Sequence, residues 1–154
     1  PLPEVNKYAG AYRKALSENP DSMELNNSVA MCYLKLKLYD KATEAFERAM
    51  EDNFDNSETF FYAAICRLRG KKAFLAQRAD IDKIEEYINA ALMIEPKGIY
   101  YYFLAYIKYD FFERKYLNTS PNYQECVRMA YDLGTSDYDK KMLFNILGVA
   151  LPNF

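Results

Sequence analysis

Tyr102, Tyr106 and Tyr109 stand at i, i+4 and i+7, a spacing that lays three phenols along one face of a helix. Such rings do non-covalent chemistry: they offer large, rigid contact area with a polar tip, and they are favoured where proteins hold one another. The same spacing also suits core packing beside long neighbouring helices, and both readings stand at this point. The groups needed for covalent work are scarce. No histidine occurs in the 154 residues, which removes the commonest general base and metal ligand. Glu85-Glu86 and the Asp80/Asp82 pair fall on expected helical surface, where solvation accounts for them. Among only five glycines there is no G-x-S-x-G, P-loop or glycine-rich phosphate cradle, so the chain is read as not an enzyme. Cys32, Cys66 and Cys126 are odd in number and include no C-x-x-C. They read as small buried hydrophobes, and neither a disulfide framework, a metal site nor a cofactor is expected.

Charge adds one cluster. Arg67, Arg69, Lys71, Lys72 and Arg78 crowd a short stretch, which is either a solvated face or a place for an acidic partner segment or phosphate. Against a net charge of −2 and a pI near 5.3, nucleic acid is not an expected partner. No apolar run approaches the ~18–20 residues that span a bilayer, so no direct membrane insertion is expected. With 51% hydrophobic and 27% charged residues, the composition is that of an ordinary folded, soluble protein. Fifteen Tyr and ten Phe exceed what a core alone needs and suggest an aromatic surface. The chain opens on Pro1 without a signal-peptide pattern. It is read as a cytoplasmic piece of a longer protein.

The elements that must position these residues repeat along the chain. Asn26–Phe54 reads as two short amphipathic helices around a tight turn, with Ala42, Phe46 and Ala49 as one stripe and Asp40 near the second helix start. The stretch 29–36, VAMCYLKL, matches 63–70, AAICRLRG, without a gap, at an offset of 34 residues. Helices are expected near 3–19, 22–36, 39–53, 57–69, 99–109, 121–133 and 138–150, and one running through Ile84, Ile88 and Ala91. Stops are expected at Pro20, Gly70, Pro96-Lys97-Gly98, Gly134 and Pro152. Ala64 to Ala91 spans 27 residues where Ala30 to Ala49 spans 19, so eight residues have been added around KKAFLAQRADID, part of them expected to lengthen the following helix.

An offset of 34 residues is the period of tetratricopeptide helix–turn–helix arrays. The chain resembles the tetratricopeptide repeat family most clearly in one unit: Asn26, Val29, Ala30 and Tyr33, then Ala42 and Phe46, with Phe54 where the closing proline would sit. Phe144, Leu147 and Gly148 stand in the W, L and G places of a last helix. The resemblance implies an all-α fold, a right-handed α-α superhelix of about eight antiparallel helices. Residues 1–154 would form one such domain, with repeats near 3–20, 22–55, 57–97, 98–134 and 138–150.

In this family first helices line a concave groove. Carried over residue by residue, that implies a peptide-binding surface of Asn27, Met31, Leu34 and Lys35, then Phe61, Ile65, Leu68 and Arg69, then Tyr102, Tyr106, Tyr109 and Asp110. The implied function is a protein–protein interaction scaffold that grips a partner peptide in an aromatic-rich groove. Replacing Tyr102 and Tyr106 by alanine is expected to abolish capture and leave the helices intact. A structural or self-associating module, with its groove filled internally and a possible homo-oligomer, is the first alternative. A co-chaperone or assembly factor is the second. The chaperone-tail subgroup grips a terminal carboxylate with Lys, Asn and Arg, and of the matching places here only Asn27 fits.

Overall fold

The computed structural model describes residues 2–20, 22–52 and 55–154, which form eight α-helices and no strand. They are α1 (Leu2–Glu18), α2 (Met23–Lys35), α3 (Tyr39–Asp52), α4 (Ser57–Arg67), α5 (Arg78–Ile94), α6 (Gly98–Ile107), α7 (Tyr123–Asp132) and α8 (Asp137–Leu147). Phe54, assigned above to the family's closing-proline place, lies outside the described residues. Short polar residues start the helices. Ser22 and Asn56 accept backbone N–H groups of Leu25 and Glu58 through their side chains. Asn122 with Glu125, and Ser136 with Asp139, form reciprocal capping boxes.

From α1 to α7 each helix packs on the next in the chain. The repeated small residues make this possible: Ala30, Ala42, Ala64, Ala91, Ala105 and Ala130 are each 0% exposed. A larger side chain at these places would hold neighbouring helices apart. The turn between α2 and α3 closes with Leu38 N–H on the Tyr33 carbonyl and Lys37 N–H on the Leu34 carbonyl. That double bond pattern needs a left-handed residue, and Lys37 supplies it at φ 61°. Asp40 lies in the first turn of α3 and pairs with Arg69 at 3.1 Å. Farther along, Glu47 ties three helices together. Its carboxylate takes Arg67 of α4 at 2.9 Å and the phenol of Tyr87 of α5.

The added residues do two things. Part of them begins α5, which runs 17 residues. The rest forms a strap with a 3₁₀ turn at Ala73–Leu75. The strap lies on the end of α6: Tyr106 Oη accepts Ala73 N–H at 3.1 Å, and Asp110 Oδ2 accepts Phe74 N–H at 2.8 Å. There α6 loosens into a π turn at Lys108–Phe112. Its buried Lys108 pairs with Glu85 of α5 at 2.7 Å and donates to Thr119 at 2.6 Å, tying down the loop before α7.

The last helix does more than stand at the end. α8 packs against α6 and also against α4. Phe144 meets the rings of Tyr102 and Tyr106 edge-on at 6.0 and 5.0 Å. Gly98 is required where α6 meets the α7–α8 turn, because a Cβ there would collide with the Thr135 side chain and the Ala130 carbonyl.

Candidate interaction site

Of the twelve residues assigned to a groove, Leu34, Leu68 and Asp110 are buried, and the other nine fall into three environments. Asn27, Met31 and Lys35 lie on α2, the first two half-buried and Lys35 exposed. Asn27 Oδ1 accepts the Thr59 hydroxyl at 2.8 Å, which fixes its amide against α4. Arg69 is exposed at a lip with Asp40. Phe61, Ile65, Tyr102 and Tyr106 are inside the protein, at 6%, 1%, 1% and 3% exposure. Tyr109 is half-buried.

The three aromatic residues buried there, Phe61, Tyr102 and Tyr106, are covered by rings of neighbouring elements. Phe61 packs on Tyr100 and Phe103 of α6 at 4.8 and 5.8 Å. Tyr102 and Tyr106 lie beneath Phe144 of α8, and residues beyond α8 come back over Tyr102 through Phe154. Their hydroxyls and neighbours are organised for burial. Tyr100 and Ser57 share a hydrogen bond of 2.7 Å, and the Tyr106 phenol sits between Ala73 N–H and Asp110. Burial pushes the Tyr106 phenol up to about 12, so it is neutral across the physiological range. Tyr87, Tyr100, Tyr102 and Tyr106 thus form core, while Tyr8, Tyr116, Tyr131 and Tyr138 are exposed.

The open part of the assigned surface is at the other end. Tyr8 and Tyr12 of α1 face Ser28, Met31, Cys32 and Lys35 of α2 across a cleft of about 330 Å³. Tyr8 is 54% exposed. The cleft therefore offers two phenols and a methionine to solvent, with a cation at its edge. Cys32 at its floor is a buried thiol whose burial pushes its pKa up, so it packs as a hydrophobe. Tyr8 and Tyr12 fall in the helix expected near 3–19, and nothing local in the sequence marks them as lining a cleft.

The basic cluster does not gather into one site. Arg67 pairs with Glu47 and Asp80, Arg69 with Asp40, and Arg78 with Asp82. These three arginines each have an acidic neighbour, as on a solvated face.

No family model matches this chain, and no curated protein does. Among solved structures the chain is similar to one named MamA MSR-1 C2, at a TM-score of 0.61 and 17% identity. The match covers 84% of this chain and 67% of that one. At this identity the likeness shows the fold alone, an all-helical arrangement.

Proposed function

We propose that the chain is a protein-interaction scaffold, a right-handed tetratricopeptide superhelix that holds an extended partner segment along its first helices. The observation that carries this reading is the open cleft between α1 and α2. Exposed aromatic rings beside a methionine suit an apolar side chain of a partner, and rigid aromatic surface is held at small entropic cost. Lys35 at the edge of the cleft suits an acidic group on the same segment. Asn27 and Arg69 extend the contact across α2 and toward the α4 end. Phe61, Ile65, Tyr102 and Tyr106 are core residues that support the stack, and no catalytic step is assigned to any residue.

Met31→Glu places a charge among the cleft's rings without touching the fully buried repeat positions. Captured partners are compared between the wild-type chain and this variant, with circular dichroism as the control. Loss of specific partners with helicity retained supports the reading. An unchanged partner set removes the cleft from it. The double alanine variant of Tyr102 and Tyr106 is unsuited to the purpose, because each deletes a core ring at a cost of about 3–5 kcal/mol.

A structural reading is favoured by a separate observation: α8 and the residues after it cover the α6 tyrosines from within the same chain. The two readings assign different ends of the stack and are compatible.

A further inference from the structure

Two turns from distant parts of the chain are locked side by side beyond α6: the strap after α4, and the 3₁₀ turn Glu113–Lys115. The strap lays Phe74 against the cations of Arg114 and Lys115, 4.3 and 4.9 Å from its ring centre. Asp110 fixes both turns, since it accepts Phe74 N–H at 2.8 Å and takes Arg114 at 2.7 Å. The next residue of each turn is left open to solvent. Leu75 is 67% exposed, Tyr116 95% and Leu117 42%. Tyr116 also sits at φ 56°, where a bulky residue is strained. Its side chain makes no hydrogen bond or ring contact among the described residues that would offset that strain.

Cations surround these apolar tips. Lys71 and Lys72 open the strap, both are exposed, and neither has an acidic partner among the described residues. Lys115 lies over the rings of Phe74 and Phe111 rather than beside a carboxylate. Residues 71–77 and 113–117 together carry four cations and one acid, Glu113, so a positive island stands on a chain whose net charge is −2. Its field reaches about 8 Å at physiological salt, which makes the local surplus decisive and not the net charge. A nucleic acid would meet the cations and leave Leu75 and Leu117 without use. A folded acidic protein would have to supply a socket for each tip. The headgroup layer of a bilayer yields to such tips, tyrosine is favoured at that depth, and lysine stems lie along apolar surface while their heads meet anionic lipid.

We propose that the strap and the turn beyond α6 form a peripheral docking surface for an anionic membrane. Leu75, Tyr116 and Leu117 enter the headgroup layer, and Lys71, Lys72 and Lys115 meet its acidic groups. The contact is adsorption alone, since no helix among the described residues is long and apolar enough to cross a membrane. The inference goes beyond the scaffold reading and uses none of the residues of the α1–α2 cleft. Together the two surfaces would let one chain hold a partner segment against a lipid surface.

The test is co-sedimentation of the chain with phosphatidylcholine vesicles, alone or containing about 30% phosphatidylserine. The wild-type chain should sediment with the anionic vesicles, weakly with the neutral ones, and less as salt is raised. Lys71→Gln with Lys72→Gln should weaken binding about 25-fold, at about fivefold per cation. Leu75→Ser with Tyr116→Asn keeps every cation and should weaken it at least about tenfold. Circular dichroism checks each variant, and the single variants Lys71→Gln and Tyr116→Asn stand in for a pair that loses its helices. A wild-type chain that ignores anionic vesicles overturns the proposal. So does binding that needs the lysines but not Leu75 and Tyr116 and that a glutamate-rich peptide or a single-stranded oligonucleotide displaces, which would assign the patch to an acidic protein or a nucleic acid. Displacement by free glycerophosphoserine also overturns it, by assigning the patch to a soluble anion. Met31→Glu should leave vesicle binding unchanged. Vesicle binding absent while Met31-dependent partner capture persists defeats this inference alone; vesicle binding present without such capture defeats the scaffold reading alone.

Discussion

Tyr106 and Asp110, one helical turn apart, accept the backbone N–H groups of two consecutive residues, Ala73 and Phe74. One pair of side chains thus holds the whole strap inserted between α4 and α5. Asp110 also takes Arg114 at 2.7 Å, so its buried carboxylate is balanced as well as bonded. Asp110→Ala leaves the Phe74 amide without its acceptor, at a cost of about 2 kcal/mol. Thermal unfolding should shift down by roughly 4–8 °C for a domain of this size. Asp110→Asn, which keeps an oxygen acceptor, should lose less. Equal stability of the alanine variant and the wild type would mean that the strap is held by other contacts.

Alkaline pH offers a second reading of the same core. Burial pushes Cys66 and Tyr106 up to about 12 and Cys126 up to about 11, from ordinary values of 9.0, 10.0 and 9.0. A raised folded pKa means that the unfolded chain loses its proton first. Their contribution is therefore complete below about pH 9 and is lost as pH rises toward 12. Urea midpoints should hold steady from pH 7 to 8.5 and fall above that, more gently in Cys66→Ala relative to its own neutral value. A midpoint flat to pH 11 would contradict the burial of these groups.

The turn between α2 and α3 carries a lysine where the backbone favours glycine. Lys37, at φ 61°, pays the steric cost of its Cβ in the left-handed region. Lys37→Gly should raise stability by about 1 kcal/mol, read as a higher urea midpoint with unchanged slope. A lower midpoint would show that the lysine side chain contributes more than the backbone strain removes.

The helical elements were largely legible because their periodicity is local. Ala30 and Ala64 stand 34 residues apart, and both reach zero exposure. The end of α4 was marked by Gly70, which is indeed left-handed, although Arg69 before it turns left-handed too. What escaped the sequence was set by long-range contacts. The spacing of Tyr102 and Tyr106 fits an open groove and a covered core equally, and the choice was made by Phe144, some forty residues later in the chain. The strap was only half legible, because the acceptors that hold it, Tyr106 and Asp110, lie in another repeat. Phe154 carried no periodic signal, and its place against Tyr102, Tyr109 and Tyr123 follows from the turn at Gly148.

A photo-activatable crosslinker placed at either of two methionines tests the scaffold account most directly. Met31 faces the α1–α2 cleft, and Met93 on α5 is 88% exposed. The account predicts a discrete protein adduct from position 31 in cells, lost on Tyr12→Ala, with only diffuse background from position 93. Equal adducts from both positions, or none from position 31 with the chain folded, would contradict it.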